Sequence, residues 1–167
     1  MKKTFFFFFF LTISFLIAGT QNLKAQCPVR LDFLEKAVVL SKDKFDTAVL
    51  GKGYSLSPIK GDGKTDFVQY WCDSRRPGGA LDQVERTAGE GIQTSIGFIT
   101  VDKELYLNFK KDLHKKKYKL IEQKEQPVGA LTATFFYYAN QKYQVHYYTY
   151  YFAKDGTTRY VMNIIKI

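Results

Sequence analysis

Residues 30–50 have the apolar spacing of an amphipathic helix. Apolar side chains recur three or four positions apart, and charged side chains fill most of the positions between them. Gly51 and Gly53 follow the segment and provide its stop signal. The side chains expected to face the core are Leu31, Leu34, Val38, Phe45 and Leu50.

Short segments with alternating polarity follow this helix and predict antiparallel strands. Pro58 is expected to end the first of them, because proline cannot donate a ladder hydrogen bond. The third segment is polar enough to predict an exposed strand, and Gly89 and Gly91 predict the turn after it. The predicted strands are 54–56, 66–72, 81–87 and 92–99.

The same order of elements begins again at Asp102, which is placed to cap a second helix. Leu105, Phe109 and Leu113 share one face of that helix, and lysines at 110–117 suit the negative end of its dipole. Asp155 and Gly156 predict a tight hairpin turn between the last two strands. The predicted strands are 118–121, 130–139, 143–153 and 158–167.

The two halves of the chain match without gaps at an offset of 64 residues, which indicates an internal duplication. Coincidence between two unrelated helix-and-strand units is the alternative. We predict an α+β fold of two tandem repeats, at 26–101 and 102–167, each with one helix followed by about four antiparallel strands. The strands form one curved or paired sheet with the helices on one side. The matching residues are Phe45, Lys52, Tyr54 and Leu56 with Phe109, Lys116, Tyr118 and Leu120.

The first 25 residues have the layout of a secretory signal peptide. Lys2 and Lys3 precede an apolar run, and the segment ends on the small residue Ala25. A transmembrane anchor is the alternative, but the apolar run at 5–18 is too short to span a bilayer comfortably. Cys27 does not follow a lipobox, so a lipoprotein is not expected. We predict cleavage near Ala25 and a periplasmic or extracellular destination.

This leader accounts for part of the composition of the 167-residue chain, whose length allows one domain or two very small ones. The formal net charge is +9, and it falls to +6 when Lys2, Lys3 and Lys24 are removed. All 12 tyrosines lie in the mature part. The short Lys-Lys start with cleavage before Gln26 resembles that of exported proteins of Gram-negative Bacteroidota.

Cys27 and Cys72 are the two cysteines of the chain. Export would place them in an oxidising compartment, where an even number of cysteines predicts a disulfide. A metal pair and a redox motif are the alternatives, but the sequence has no C-x-x-C and no histidine nearby. We therefore predict a structural Cys27–Cys72 disulfide that holds the mature N-terminus against the strand at 66–72.

The sequence lacks the motifs of the common catalytic and metal sites. Residues 61–65 end like a phosphate-binding loop, but Pro58 occupies the position of its first glycine, so a turn is predicted. His114 lies in a lysine-rich helix end and His146 on a tyrosine-rich strand, and neither has an identifiable catalytic partner. We predict a protein without enzymatic activity, cofactor or metal. A small hydrolase with an unrecognised site stays as an alternative.

The strongest concentration of charge is the lysine-rich segment 110–119. Lys115, Lys116 and Lys117 could bind lipopolysaccharide phosphates, anionic phospholipid or an acidic partner. A solvated helix end is the simpler interpretation. No nucleic-acid-binding motif is present, and an exported protein has little access to nucleic acid, so that partner is not expected.

The second candidate site is the aromatic block from 135 to 152. Successive strand residues face opposite sides, so aromatic doublets place rings on both faces of a sheet. One face must pack beneath the helices, and the other is expected to show Tyr138, Tyr148 and Tyr150 or their alternates, with His146 beside them. This face is either a binding surface for a protein, peptide or glycan, or a sheet stabilised by cross-strand pairs.

Two tandem units of a helix and an antiparallel sheet resemble the architecture of the β-lactamase inhibitor proteins, and small exported Bacteroidota proteins share this look. The resemblance covers most of residues 31–167 and assigns no binding residue, because no inhibitor motif matches. Those inhibitors are secreted and non-enzymatic, and they bind protein partners through the sheet. The resemblance implies an exported binding module that uses its tyrosine-rich sheet face. A peripheral envelope protein that binds anionic lipid is the alternative.

Overall fold

A computed structural model describes residues 27, 29–57, 65–72, 82–129, 131–154 and 156–167. The predicted signal peptide, its cleavage site and the turn at 61–64 lie outside these residues. So do Pro58, the predicted end of the first strand, and Asp155 of the last hairpin.

The described chain forms an α+β fold built on one antiparallel sheet of eight strands. The strand order is β1-β2-β3-β4-β8-β7-β6-β5, so β4 and β8 lie at the centre and β1 and β5 are the two edges of an open sheet. The helices are α1 (Leu31–Ala37), α2 (Lys42–Leu50) and α3 (Lys103–Lys115). The strands are β1 (Ser55–Leu56), β2 (Asp66–Cys72), β3 (Asp82–Gly89), β4 (Ile92–Thr100), β5 (Lys119–Val128), β6 (Leu131–Ala139), β7 (Tyr143–Phe152) and β8 (Thr157–Lys166).

The prediction of one continuous helix over 30–50 is wrong, because α1 and α2 are separate. The first helix ends at Ala37, and Ser41 is extended with φ −62° and ψ 162° immediately before the second. Val38 and Val39 are β-branched, which lowers their preference for the helix at this point. The break changes the buried face, so that Val49 is buried and Leu50 is 52% exposed.

All three helices pack on the same face of the sheet, which we call the helix face. Every second residue of each central strand contributes to one core there, and the largest contacts are aromatic. Phe98 of β4 stacks on Phe109 of α3 with ring centroids 5.6 Å apart. Tyr147 of β7 stacks on Tyr106 at 4.1 Å and donates a hydrogen bond of 2.6 Å to the Tyr106 carbonyl. Burial of these rings holds α3 on the sheet.

The third helix begins where the sequence predicts it. The Asp102 carboxylate accepts hydrogen bonds from the backbone N–H groups of Glu104 and Leu105, at 2.8 and 3.1 Å. Those donors have no partner within the helix, so the cap stabilises its first turn. Phe109 and Leu113 are buried as expected.

The prediction that β3 is exposed is wrong, because alternate residues of this polar strand face the helices. Asp82 and Arg86 are buried, and each has a partner of opposite or complementary chemistry. The Thr100 hydroxyl donates to Asp82 at 2.6 Å, and Arg86 donates to Asp66 at 2.9 Å. Such pairing lets a polar strand occupy an interior position in the sheet.

The Cys27–Cys72 disulfide is present, with a Cα–Cα distance of 6.1 Å. It joins the start of the described chain to the end of β2, and the Tyr54 hydroxyl donates to the Cys27 carbonyl at 3.1 Å. Within the described ranges, none of the helices has the length and apolarity that a membrane span requires.

Reduction of this disulfide is expected to lower the free energy of unfolding by about 3–4 kcal/mol, because it closes a loop of 45 residues in the unfolded chain. Urea unfolding with and without reductant measures the difference. A Cys27→Ser, Cys72→Ser variant is the control, since it should unfold like the reduced protein and should not respond to reductant. Two free thiols in the non-reduced, purified chain would contradict the pairing.

Candidate functional site

The sheet face away from the three helices, which we call the open face, carries the strongest cluster of binding-type side chains. Register fixes its membership, since residues that pair across strands point to the same side. One row across the sheet is polar and the next is mainly apolar. The polar row is Gln69, Glu85, Gly97, Asn163, His146 and Tyr137, and the apolar row is Trp71, Gln83, Ile99, Val161, Tyr148 and Phe135.

An aromatic ladder crosses β6 and β7 on the open face. Phe135 and Tyr148 form its centre, with ring centroids 4.1 Å apart and planes inclined by 25°. Tyr150 extends the ladder beyond Tyr148 at 6.3 Å, and Tyr137 extends it beyond Phe135 at 6.2 Å. His146 contacts the Tyr137 ring edge-on at 4.6 Å. The rings therefore cover much of one another.

Three of the four predicted aromatic-site residues share this face, but Tyr138 does not. Tyr148, Tyr150 and His146 lie at alternate positions of β7 and point to the open side. Tyr138 pairs with Val145, lies on the helix face and is 4% exposed. The prediction that Tyr138 lies beside Tyr148 is therefore wrong. Tyr148 pairs with Phe135, which lies three residues before Tyr138 on β6. Strand residues separated by an odd number of positions point to opposite faces of the sheet.

Hydrogen-bonding side chains hold the polar row in place at its β2–β3 end. Gln69 is the centre of this network, and it is buried. Its amide nitrogen donates to Gln83 at 3.3 Å and to Glu85 at 3.4 Å. Its carbonyl oxygen accepts from the Trp71 indole N–H at 2.9 Å and from Ser57 at 3.2 Å. These bonds fix the orientation of the amide and of the indole ring.

Gly97 makes room at the centre of the polar row. A Cβ at this position would lie 2.7 Å from Asn163 Oδ1 and 2.7 Å from Glu85 Cγ, both closer than van der Waals contact allows. Glu85 and Asn163 can lean over the strand only because residue 97 has no side chain. A carboxyl and an amide consequently converge at the middle of the open face.

The electrostatics of the open face favour neutral hydrogen-bonding groups. Burial raises the pKa of the Glu85 carboxyl, although the Gln69 amide opposes this. Burial and Lys124 lower the pKa of His146, which favours the neutral imidazole, with one nitrogen able to donate a hydrogen bond and the other able to accept one. Burial, Tyr150 and Glu85 raise the pKa of Tyr148 to about 12. Within the described residues, no group of three His, Cys, Asp or Glu could hold a metal ion.

Sequence reasoning missed Gln69, Glu85, Gly97 and Asn163, because they are scattered over four strands of both halves. Only the register between strands brings these residues together, and their spacing along the chain does not reveal that register. The one available signal was the alternation of residues along β3. Gln83 and Glu85 occupy the positions between the buried Asp82, Val84 and Arg86, and therefore lie on the other face of the sheet.

The predicted lysine site does not behave as one group. Lys116 forms ion pairs with Asp32 and Glu35 of α1, and although burial opposes its charge, these pairs raise its pKa. Tyr118 also donates to Glu35, at 2.8 Å, so Lys116 belongs to a structural network that joins α3 to α1. Lys115 is exposed and lies 3.8 Å from Asp112. Lys117 is exposed too, and it has a positive φ of 59°.

A Gly97→Val substitution is expected to lower the free energy of unfolding by about 1–3 kcal/mol, because its side chain displaces Glu85 and Asn163. Urea unfolding measures the change. The loss should be smaller when Glu85 is also changed to alanine, since the neighbours are coupled through the same space. Equal losses in both backgrounds would show that the close approach does not limit residue 97.

A Glu85→Gln substitution is expected to flatten the pH dependence of stability. Because burial raises the folded pKa, the stability from the protonated carboxyl is fully present below the ordinary value of 4.5 and is lost as pH rises through the folded pKa. The Glu85→Gln variant is expected not to lose this stability as pH rises. Unfolding curves from about pH 4 to about pH 8 test this. Glu125→Gln, which removes an exposed carboxyl on β5, is the control, and parallel curves for Glu85→Gln and the wild type would contradict the assignment.

No protein-family model, curated protein or solved structure matches this chain. The function of the open face therefore has to follow from its own chemistry. That chemistry is a row of amide, carboxyl and imidazole groups beside a ladder of rings.

Proposed function

We propose that the protein is an exported binding module that contacts a polypeptide partner through the open face. The observation that carries the proposal is the pairing of the aromatic ladder with the polar row on a sheet face against which no described helix packs. Tyrosine suits such a surface, because it has an apolar body and a hydrogen-bonding tip. Aromatic clusters beside polar side chains are typical of protein interfaces.

The orientation of the rings favours a polypeptide over a glycan. A sugar ring stacks on the flat face of an aromatic side chain, which must be free. Here Phe135 and Tyr148 cover each other, Lys124 lies 4.6 Å above the Tyr137 ring, and Arg159 lies 4.8 Å above Phe152. Ring edges remain for contact, and the Asn163 amide of the polar row matches the N–H and C=O groups of a peptide backbone.

The proposal includes export of the protein. The Cys27–Cys72 disulfide is compatible with an oxidising compartment, and the leader at 1–25 has the features of a signal peptide. A partner would then be a protein of the envelope or of the extracellular medium.

We also propose that the two halves are tandem repeats. Each half places helix before a run of four strands, and the last strands, β4 and β8, pair at the centre. Phe45 and Phe109, 64 residues apart, are both buried in helices, and Tyr54 and Tyr118 are both buried immediately before a strand. This arrangement supports the proposal that the two halves are tandem repeats.

Tyr148→Ser and Tyr150→Ser are each expected to reduce capture of the partner about tenfold, because each removes a ring from the contact surface. The immobilised mature protein is incubated with envelope extract, and the recovered polypeptides are quantified by mass spectrometry. Tyr151→Ser is the matched control, since Tyr151 is a neighbouring exposed tyrosine on the helix side of β7. Thermal unfolding of each variant separates lost contact from lost folding.

A polypeptide that is recovered equally by wild type, Tyr148→Ser and Tyr150→Ser does not use the open face, and such a result would sink the proposal. A partner that is lost after enzymatic deglycosylation of the extract would show that the ligand class is glycan. If Tyr151→Ser also lost the recovered polypeptide, the effect would come from removing any tyrosine and not from the open face.

A further inference from the structure

A cavity of about 610 Å³ lies at the end of α3, between the start of β5 and the turn that joins β6 to β7. Four lysines line it, and none of the described residues that line it is acidic. Ile121 and Ala139 provide its apolar wall. The lysines are Lys116, Lys117, Lys119 and Lys142.

Three of these lysines have no ion-pair partner among the residues that the structure describes. Lys116 is neutralised by Asp32 and Glu35, as described above. Across the described part of the chain, no ion pair of 4.0 Å or less involves Lys117, Lys119 or Lys142. Like charges around one concavity repel each other and raise its affinity for an anion.

The backbone fixes the positions of Lys119 and Lys142. Lys119 pairs with Ala139 at the beginning of β5. In the β6–β7 turn, Asn140 Oδ1 accepts hydrogen bonds from the N–H groups of Lys142 and Tyr143, at 2.8 and 2.9 Å. Only the side-chain rotamers of the two lysines then need to be ordered when a ligand binds.

Lys117 occupies a backbone position that normally belongs to glycine. It closes α3 with its N–H bonded to the His114 carbonyl and the Tyr118 N–H bonded to the Leu113 carbonyl, each at 3.0 Å. This is the hydrogen-bond pattern of a helix end with a left-handed residue, and φ at Lys117 is +59°. Within the described residues, Lys117 is the only non-glycine residue with positive φ. A backbone strain retained beside a cavity points to a functional requirement for its side chain.

We propose that this cavity binds a phosphate group, held by the ammonium groups of Lys117, Lys119 and Lys142. Ammonium groups form short, charge-assisted hydrogen bonds with phosphate oxygens. The group can be a free phosphate or the headgroup of an anionic lipid, with Ile121 beside the apolar part of the lipid. The inference is independent of the partner proposed for the open face.

Two probes distinguish the sources of the phosphate. Isothermal titration with inorganic pyrophosphate measures binding of a free ligand. Flotation with phosphatidylglycerol–phosphatidylcholine vesicles, against vesicles of phosphatidylcholine alone, measures binding of a lipid headgroup. We expect the wild type to bind at least one anionic probe, more weakly as salt increases, and not to bind phosphatidylcholine alone.

The Lys119→Gln, Lys142→Gln variant is expected to bind that probe about tenfold more weakly, because two of three charged contacts are lost. Lys103→Gln, Lys111→Gln is the matched control, since it removes the same charge from exposed positions of α3 outside the cavity. Lys117→Gly is expected to weaken binding while raising the thermal midpoint, because glycine adopts a positive φ without strain. The third variant therefore loses binding without losing its fold.

If the protein binds pyrophosphate but not anionic vesicles, the cavity binds a free phosphate. If it binds anionic vesicles but not pyrophosphate, the cavity binds a lipid headgroup. Equal weakening in the cavity variant and the control would overturn the proposal, because net charge would then explain the attraction. Absence of binding to both anionic probes would overturn it too, as would Lys117→Gly binding as tightly as the wild type.

Discussion

Pairing of β4 with β8 is the interaction on which the rest of the sheet depends. It joins the two halves of the chain in one register, from Ser95 opposite Ile165 to Thr100 opposite Tyr160. Phe98 and Met162 consequently meet in the core, and Gly97 and Asn163 meet on the open face. A slip of one residue would send the apolar side chains to the solvent side, so burial of the core specifies the polar row as well.

The same constraint divides the tyrosines of β7 into two chemical roles. Tyr147 is 1% exposed and stacks under α3, whereas Tyr148, its neighbour, stacks on Phe135 on the other side. Burial raises the pKa of both hydroxyls, so both stay protonated and act as neutral hydrogen-bonding groups. An aromatic doublet on a strand thus supplies the core and the candidate binding surface from consecutive residues.

The sequence predicted those elements whose causes are local. Asp102 and the apolar spacing after it located α3, and the alternation at 66–72 located β2. The break between α1 and α2 was missed, because apolar spacing continues across it while the backbone does not. Tyr138 was placed on the wrong face and Glu85 was missed altogether, since both depend on pairing between distant strands. The local sequence pattern predicts a helix or strand, but only the pairing register between strands determines which residues lie beside it in the sheet.

The lysines at the end of α3 also show that local sequence does not predict the contacts of single residues. They form one basic run in the sequence, yet the fold gives them different partners. Lys116 turns towards α1 and is neutralised, so its removal would disturb packing more than surface charge. Lys117 follows it in a left-handed conformation, and Lys142 joins it from a turn 25 residues further along the chain. The anion site that we propose at this end of the molecule therefore depends on where the helix stops, because the left-handed residue redirects the chain into β5.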